Sequence, residues 1–535
     1  MNTHHPIGVL RTLLTECQYI QDSLGLFKKM SANSANHLLF DSAEIDSKAH
    51  LKSLMLVDAC LKITCNGLTV TLDAMTDNGK DLITFITPKF SIELIKQQTP
   101  SQLVLHFPES DRSGDEDSRL KSASPMDAIR FIVDQIKKQS EHPQALFLGG
   151  IFAYDFIASF EQIGDVPESE NCCPDYLFYV AETLMIHDHQ TQKSEIIGSV
   201  FGGLYSDENH VRISTRLAEI QNLCSNFSPC ANKLVPLEGK ISVDVSDTEY
   251  CDIVNQLKEN IVKGDIFQVV PSRSFSLHCP NPLAAYAKLK ETNPSPYMFY
   301  LKDSDFILFG ASPESALKYT KESNEVEIYP IAGTRTRGFS KDGSISRDLD
   351  SRLELELRLD KKETSEHLML VDLARNDVAR ISEPGTRHVA DLLQVDRYSH
   401  VMHLVSRVVG QLREDLDALH AYQACMNMGT LVGAPKIRAS QLVRDVEKKR
   451  RGSYGGAVGY INGEGDMDTC IVIRSAFVKN DVAHAQAGAG VVFDSVPQLE
   501  ANETRQKAAA VLNAIALAHG TTLADVQSTS NVQGE

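Results

Sequence analysis

Two glutamate pairs at the same spacing, Glu363/Glu366 and Glu500/Glu503, are the residues of this 535-residue chain best suited to chemistry. A separation of three places each pair on one face of a helix. Two such faces could supply the oxygen ligands that a hard cation such as magnesium prefers, with water and substrate completing the shell. Either pair alone reads more simply as a solvated helix surface. Context separates the readings: the second pair follows a glycine-rich strand end, and the first precedes the apolar run 368–373. Arg474 is the next pointer, because a guanidinium inside an apolar strand is costly unless an anion pairs with it. That anion is either an internal carboxylate or the carboxylate of a substrate. The segment QAGAGV (486–491) leaves backbone uncovered at Gly488 and Gly490, as close approach to a ligand requires.

These residues must be held by a small set of elements. A helical pattern covers 361–380. The run Asp494-Ser495-Val496-Pro497 supplies cap and start signals for a second helix to about Ala518, ended by Gly520. Between them, 454–461, 469–478 and 482–492 read as strands joined by short turns, a β-meander. In the middle strand both faces are largely apolar, which places it inside a covered sheet. Helices around mostly antiparallel sheet predict an α+β fold. Composition divides the chain into a region 1–223, a proline-containing linker 224–240, a larger region 241–520 and a Ser/Thr/Gln-rich flexible tail 521–535. The polar stretch 109–125 reads as a surface loop.

Composition excludes several function classes. With 42% hydrophobic and 23% charged residues the chain can bury substantial cores, but no apolar run approaches the roughly 18 residues of a membrane span. The first residues lack the pattern of a secretory signal. A net charge of −18 argues against nucleic-acid and anionic-membrane partners, and means that an anionic substrate needs a local basic pocket. Eleven scattered cysteines read as reduced thiols of a cytoplasmic protein. There is no Gly-x-Ser-x-Gly elbow, phosphate-binding loop or zinc spacing, and His187 and His189 lack evident metal partners. A Gly-x-Cys-x-Gly turn is also missing, so this chain does not make ammonia from glutamine.

Seven strings add to this picture: IFQVVPSR (266–273), FGASPES (309–315), YPIAGTRTRG (329–338), SEHLMLVDLARND (365–377), GAPKIRA (433–439), RGSYGGAVGY (451–460) and QAGAGVVFDSVPQLEANET (486–504). Together they resemble the chorismate-utilising enzymes, and within them the synthase components of anthranilate synthase, from about residue 38 to 519. The resemblance implies a large β-sandwich-like core flanked by helices, to which the N-terminal region contributes. It implies magnesium held by Glu366 and Glu503, with Glu363 and Glu500 in support. Gly333, Thr334, Tyr454, Arg474, the backbone of Gly488, Ala489 and Gly490, and Lys507 become chorismate-binding positions. Glu314 becomes the general acid, which requires a raised pKa. His403, with Thr334, serves the pyruvate elimination.

Two positions choose among the family's reactions. Relatives that add water carry a lysine where this chain has Gln268, which cannot deprotonate water. Aminodeoxychorismate synthases read Pro-Ile-Lys-Gly-Thr where this chain has Ala332 in place of the nucleophilic lysine. Amination of chorismate to anthranilate remains. The family also implies a glutaminase partner, a heterotetramer of two subunits of each kind, and feedback by L-tryptophan. LLFDSAEIDSK (38–48) resembles the family's Leu-Leu-Glu-Ser motif, with Ser42 matching and Asp41 replacing glutamate. Lys52 and the string Pro296, Tyr297, Met298, Phe299 complete that inhibitor pocket.

Overall fold

The computed structural model describes residues 6–42, 51–109, 114–229, 235–237, 239–340, 342–398 and 401–528. Two long strands, Lys52–Asn66 and Tyr176–Asp188, decide how the others are grouped. They pair antiparallel along nearly their whole length, with register shifts between Leu56 and Leu61 that bend both strands. Each then serves two sheets. Along one edge of Lys52–Asn66, the first half pairs with His37–Asp41 and the second with Thr69–Ala74. The outer edge of Tyr176–Asp188 pairs first with Phe147–Phe152 and then with Lys193–Phe201.

One sheet continues from His37–Asp41 through Tyr297–Lys302, Ile307–Ser312, Ser475–Lys479 and Val482–Gly488 to Ser272–His278. The other continues from Phe147–Phe152 through Ala457–Asn462, Met467–Ile471, Ser315–Thr320 and Glu325–Ile328 to Val401–Gln411. The interior between them is built from strands alone, with Leu56, Ile151, Phe299, Leu308, Val458 and Phe477 in contact. Helices Ser206–Ser225, Pro282–Thr292 and Pro497–Ala518 cover the outer face of the first sheet. Asp77–Ile86, Asp127–Gln135, Lys361–Ala379 and Ala418–Cys425 cover the second. The order is helix, sheet, sheet, helix: the expected α+β sandwich.

The predicted helices are present with the expected bounds. Asp360 caps Lys361–Ala379 by accepting from the backbone of Lys362 and Glu363, and Pro497 opens Pro497–Ala518. The predicted meander needs correction. Its middle strand is two strands, Met467–Ile471 and Ser475–Lys479, separated by Arg474 at φ +49°. Its last strand stops at Gly488 rather than 492. The 109–125 stretch contains a short helix, Glu116–Leu120, and residues 110–113 lie outside the described residues. Helix Ser206–Ser225 enters the 224–240 segment by two residues, of which 230–234 and 238 are not described. The tail carries a helix at Leu523–Ser528 before its undescribed end. The ten described cysteines are all free thiols.

The strand-only interior makes a stability test. Leu308 is fully buried there. Leu308→Ala should cost about 2–5 kcal/mol through lost burial and a residual cavity. Ile92→Ala, at a residue 85% exposed, should stay within about 0.5 kcal/mol. Thermal unfolding of the two variants beside the parent checks the contrast.

Candidate active site

The candidate catalytic residues converge where strands in both sheets break at the same level. The Ile307–Ser312 and Ser315–Thr320 strands are separated by Pro313-Glu314, and Arg474 separates the strands facing them. The two breaks are tied to each other: the Ala311 N–H donates to the Arg474 carbonyl at 3.1 Å, and the Ile471 N–H donates to the Glu314 carbonyl at 3.0 Å. Each break aims a polar side chain out of an otherwise continuous ladder.

Glu314 is buried. Burial pushes its carboxyl up to about 8, against the opposing pull of Thr430, the Ile331 backbone and Lys507. It is therefore a carboxylic acid, with a proton to give, at neutral pH. Arg474 decides between the two readings of its charge. Among the described residues no carboxylate lies within ion-pair distance, and its Nη1 donates only to the Lys507 carbonyl, at 3.4 Å. Burial lowers its pKa, opposed by Tyr454 and Glu503. A half-buried guanidinium without an internal anion is a site for an external one.

Thr334 and His403 are cross-strand partners, with Thr334 Oγ1 2.9 Å from His403 Nδ1. Burial, followed by the Arg474 charge, holds the imidazole down at about 4, so the ring is neutral. A bulge between Ala332 and Thr334 places Gly333 at φ +81°. A Cβ there would stand 3.3 Å from Glu363 Oε2. Glycine lets this backbone lie against the carboxylate cluster.

Gly488 and Gly490 earn their places by close approach. A Cβ at Gly488 would meet the Pro271 carbonyl at 2.7 Å and the Tyr454 hydroxyl at 3.1 Å; at Gly490 it would meet Gln268 Nε2 at 2.7 Å. Ala489 between them is buried. Lys507 donates to the Gly488 carbonyl at 2.9 Å and pairs with Glu503 at 2.7 Å. Tyr454 is pushed up to about 12 by burial, so its hydroxyl is a neutral donor. Gln268 sits in the short strand Gln268–Val269, paired with Gly433–Ala434, and its buried Oε1 has no partner. An unsatisfied buried amide oxygen marks a place where a ligand N–H or O–H fits.

Glu366 shows the carboxylate crowding most clearly. Burial lifts it to about 7; Lys362 opposes this, and Glu363, Glu503 and Glu500 push it further up. Among the described residues its buried Oε1 has no hydrogen-bond partner, with Lys362 Nζ 3.8 Å away. Burial also raises Glu500, against a bond from Ser495. Glu363 is held by Arg335 at 3.1 Å. Among the described residues, no three acidic, histidine or cysteine side chains already stand close enough to hold a metal together. The Glu366 oxygen without a hydrogen bond and the mutual repulsion of four hard oxygen donors nevertheless fit a hard divalent cation.

The inhibitor-pocket residues are divided by strand alternation. Asp41 pairs with Met298 across the ladder and shares its face. Tyr297 donates to Asp468 at 3.2 Å and Phe299 packs in the sandwich interior, so both point the other way. Asp41 is buried, accepts from Ser53 at 2.7 Å and pairs with Lys290. Ser53 also meets His189 Nε2 at 2.6 Å, and Tyr19 meets His189 Nδ1 at 2.8 Å. The His-x-His stretch thus stands beside Asp41 and Ser53, where, among the described residues, the His187 ring nitrogens and the Tyr286 hydroxyl are buried without hydrogen-bond partners. Ser42 is half-buried beside Asp41, Pro296 precedes the Met298 strand, and Lys52 is exposed opposite Asp188. The rest of the 38–48 string, from 43, lies outside the described residues. Residue spacing gave no sign of Thr430, Lys290 or Ser53, which join these sites from elsewhere in the chain.

Comparison with known proteins agrees with this geometry. The family model for chorismate binding enzymes matches residues 75–513. Anthranilate synthase component 1 of Vibrio cholerae is 58% identical over 510 residues, 95% of this chain and 97% of that protein. Its Escherichia coli counterpart is 54% identical over 521 residues, 97% and 99% of the two chains. The solved structure of anthranilate synthase component I from Streptococcus pneumoniae superposes with a TM-score of 0.69 at 30% identity, covering 88% of this chain and 94% of that one. The menaquinone-specific isochorismate synthase of Escherichia coli shares the fold, with a TM-score of 0.65 at 16% identity, over 95% and 94% of the chains. With the family model and the relatives both spanning most of its length, the chain belongs to the chorismate-binding enzymes, in their anthranilate synthase component 1 branch.

Proposed function

We infer that the protein is the synthase subunit of an anthranilate synthase, converting chorismate and ammonia into anthranilate and pyruvate for tryptophan biosynthesis. The observation that carries this reading is the buried, protonated Glu314 set beside an Arg474 with no internal anion.

Arg474 and the Tyr454 hydroxyl receive the pyruvyl carboxylate, and the bared backbone at Gly488 and Gly490 lets the ring lie close. Glu366 and Glu503 would hold magnesium, with Glu363 and Glu500 supporting it through water, and its charge would anchor the ring carboxylate. Gln268 Oε1 accepts an N–H of ammonia and orients it toward C2 without removing a proton. Ala332 offers no competing nucleophile. Glu314 protonates the departing C4 hydroxyl, which leaves as water. His403, neutral and positioned by Thr334, then takes the C2 ring proton as the C3–O bond breaks; the departing enolpyruvate takes a proton from solvent to become pyruvate, and the C2 ammonium releases its extra proton to solvent.

Ammonia comes from a glutaminase partner, as the missing nucleophile and the relatives' name "component 1" suggest; two subunits of each kind form a heterotetramer. A cytoplasmic location fits the free thiols and a described chain with no helix long and apolar enough to cross a membrane. L-Tryptophan binds beside Asp41, its ammonium on that carboxylate. The strand Tyr297–Lys302 pairs with His37–Asp41 on one side and with Ile307–Ser312, which ends two residues before Glu314, on the other. Inhibition follows if tryptophan favours an arrangement of these strands that displaces the acid.

Purified chain given chorismate, magnesium and ammonium salt should produce anthranilate fluorescence; isochorismate or aminodeoxychorismate as the product would overturn the readings of Gln268 and Ala332. Glu314→Gln should lower kcat by about 10²–10⁴-fold, the range of general acid catalysis. The acid works protonated, so at constant free ammonia kcat should fall as pH rises through about 8. Glu366 binds metal ionised, so magnesium affinity should weaken as pH falls below about 7. Asp41→Ala should raise the tryptophan concentration for half-inhibition at least tenfold while leaving uninhibited turnover intact, measured by the same fluorescence.

A further inference from the structure

Glu314 gives up a proton in every cycle and must regain one from an enclosed position. Behind it lies a cavity with room for about 20 Å³, lined by Glu314, Thr430, Leu373, Ala374 and Asp377. That is space for one water molecule. A second cavity of about 440 Å³ opens at the surface between Glu116, Arg119 and Arg380, and Leu373, Asp377 and Lys436 line it too. Leu373 and Asp377 belong to both cavities and form the wall between them. Leu373 is pressed inward: a Cβ at Gly429 would stand 2.1 Å from its Cδ2.

Asp377 is the ionisable group of that wall. It is buried near the end of helix Lys361–Ala379 and accepts from Lys436 Nζ at 2.5 Å, while Lys436 also donates to the Cys425 carbonyl at 2.7 Å. Burial pushes its carboxyl up, with the Lys436 and Arg380 charges opposing. It can therefore exchange a proton nearer neutrality than an exposed aspartate. The charged and titratable groups around the path are Lys507 and Tyr398 at Glu314, and Lys436, Arg380 and Cys425 at Asp377.

We propose that Asp377, acting across the one-water cavity, returns the proton to Glu314 from solvent in the outer cavity. The inference rests on Glu314 being the acid that protonates the leaving hydroxyl. In that step the Glu314 O–H bond breaks and its proton leaves with the hydroxyl as water. Asp377, a carboxylate paired with Lys436, takes a proton from solvent in the outer cavity and passes it to the cavity water, which gives one to the Glu314 carboxylate. No electrons are transferred and the protein ends as it began. Asp377 touches no reacting atom; it serves the reaction through Glu314.

The test uses the full chain with magnesium, chorismate and ammonium. Asp377→Asn should lower kcat at least tenfold with an unchanged KM for chorismate. It should also enlarge the solvent deuterium isotope effect on kcat, and azide, a small proton carrier, should restore turnover. Ala374→Val should fill the inner cavity and give the same loss, without rescue by azide. The proposal is overturned by parental kcat in either variant. It is equally overturned by a loss in Asp377→Asn that azide and deuterium leave untouched while the melting temperature falls, the signature of a structural ion pair. Parental chain that makes no anthranilate would instead bring down the functional reading itself.

Discussion

A continuous β-ladder satisfies every backbone group, and everything chemical in this protein depends on interrupting that ladder twice at one level. Pro313 cannot donate to a ladder, and Arg474 sits in the left-handed region that non-glycine residues avoid. Each break would be costly alone. Placed opposite each other they share the two backbone bonds that keep the gap closed, Ala311 to Arg474 and Ile471 to Glu314. The result is an acid and a cation in short breaks pinned on both sides by strands rather than in a free loop, so their positions are already ordered.

The electrostatics follow from that placement. The chain is strongly acidic overall, yet Arg474 and Lys507 give the region around Gly488 local positive charge. Low-dielectric surroundings hold Glu314 and His403 in their neutral forms at the same pH by the same cause, desolvation, acting on groups of opposite sign. The four glutamates are arranged the other way: crowded carboxylates whose repulsion, added to burial, raises Glu366 and is relieved by a proton or a cation. One small region thus contains a carboxyl kept protonated, an imidazole kept neutral and a cluster of crowded carboxylates.

Much of this was legible from residue order, and the rest was hidden for physical reasons. Helices Lys361–Ala379 and Pro497–Ala518 announced themselves because caps, start residues and apolar spacing are local. The α+β class followed from alternation and helix pattern. The break at Arg474 did not, because Val472 and Ile473 continue the apolar alternation of a strand, and left-handed backbone at an arginine is imposed by tertiary partners. Thr430 and Lys290 escaped for the same reason: a hydroxyl that lines a cavity with Glu314 and an ammonium paired with Asp41 leave no mark on local sequence. Strand parity was readable in principle: Met298 and Phe299 must face opposite ways once the register with Asp41 is known, but that register joins distant segments.

Those distant pairings bear on how the chain is made. Strand His37–Asp41 pairs with Tyr297–Lys302, whose residues emerge from the ribosome about 260 positions later. At about 5–20 residues per second, one side of that strand waits on the order of 13–50 s for its partner. Phe147–Phe152 likewise awaits Ala457–Asn462. Throughout that interval the nascent chain exposes bare strand edges beside apolar faces, the kind of surface on which chains stick to one another. Sharing both sheets between the first and last parts of the sequence therefore ties catalytic rigidity to slow maturation: the acid at the break exists only after almost the whole polypeptide has been synthesised.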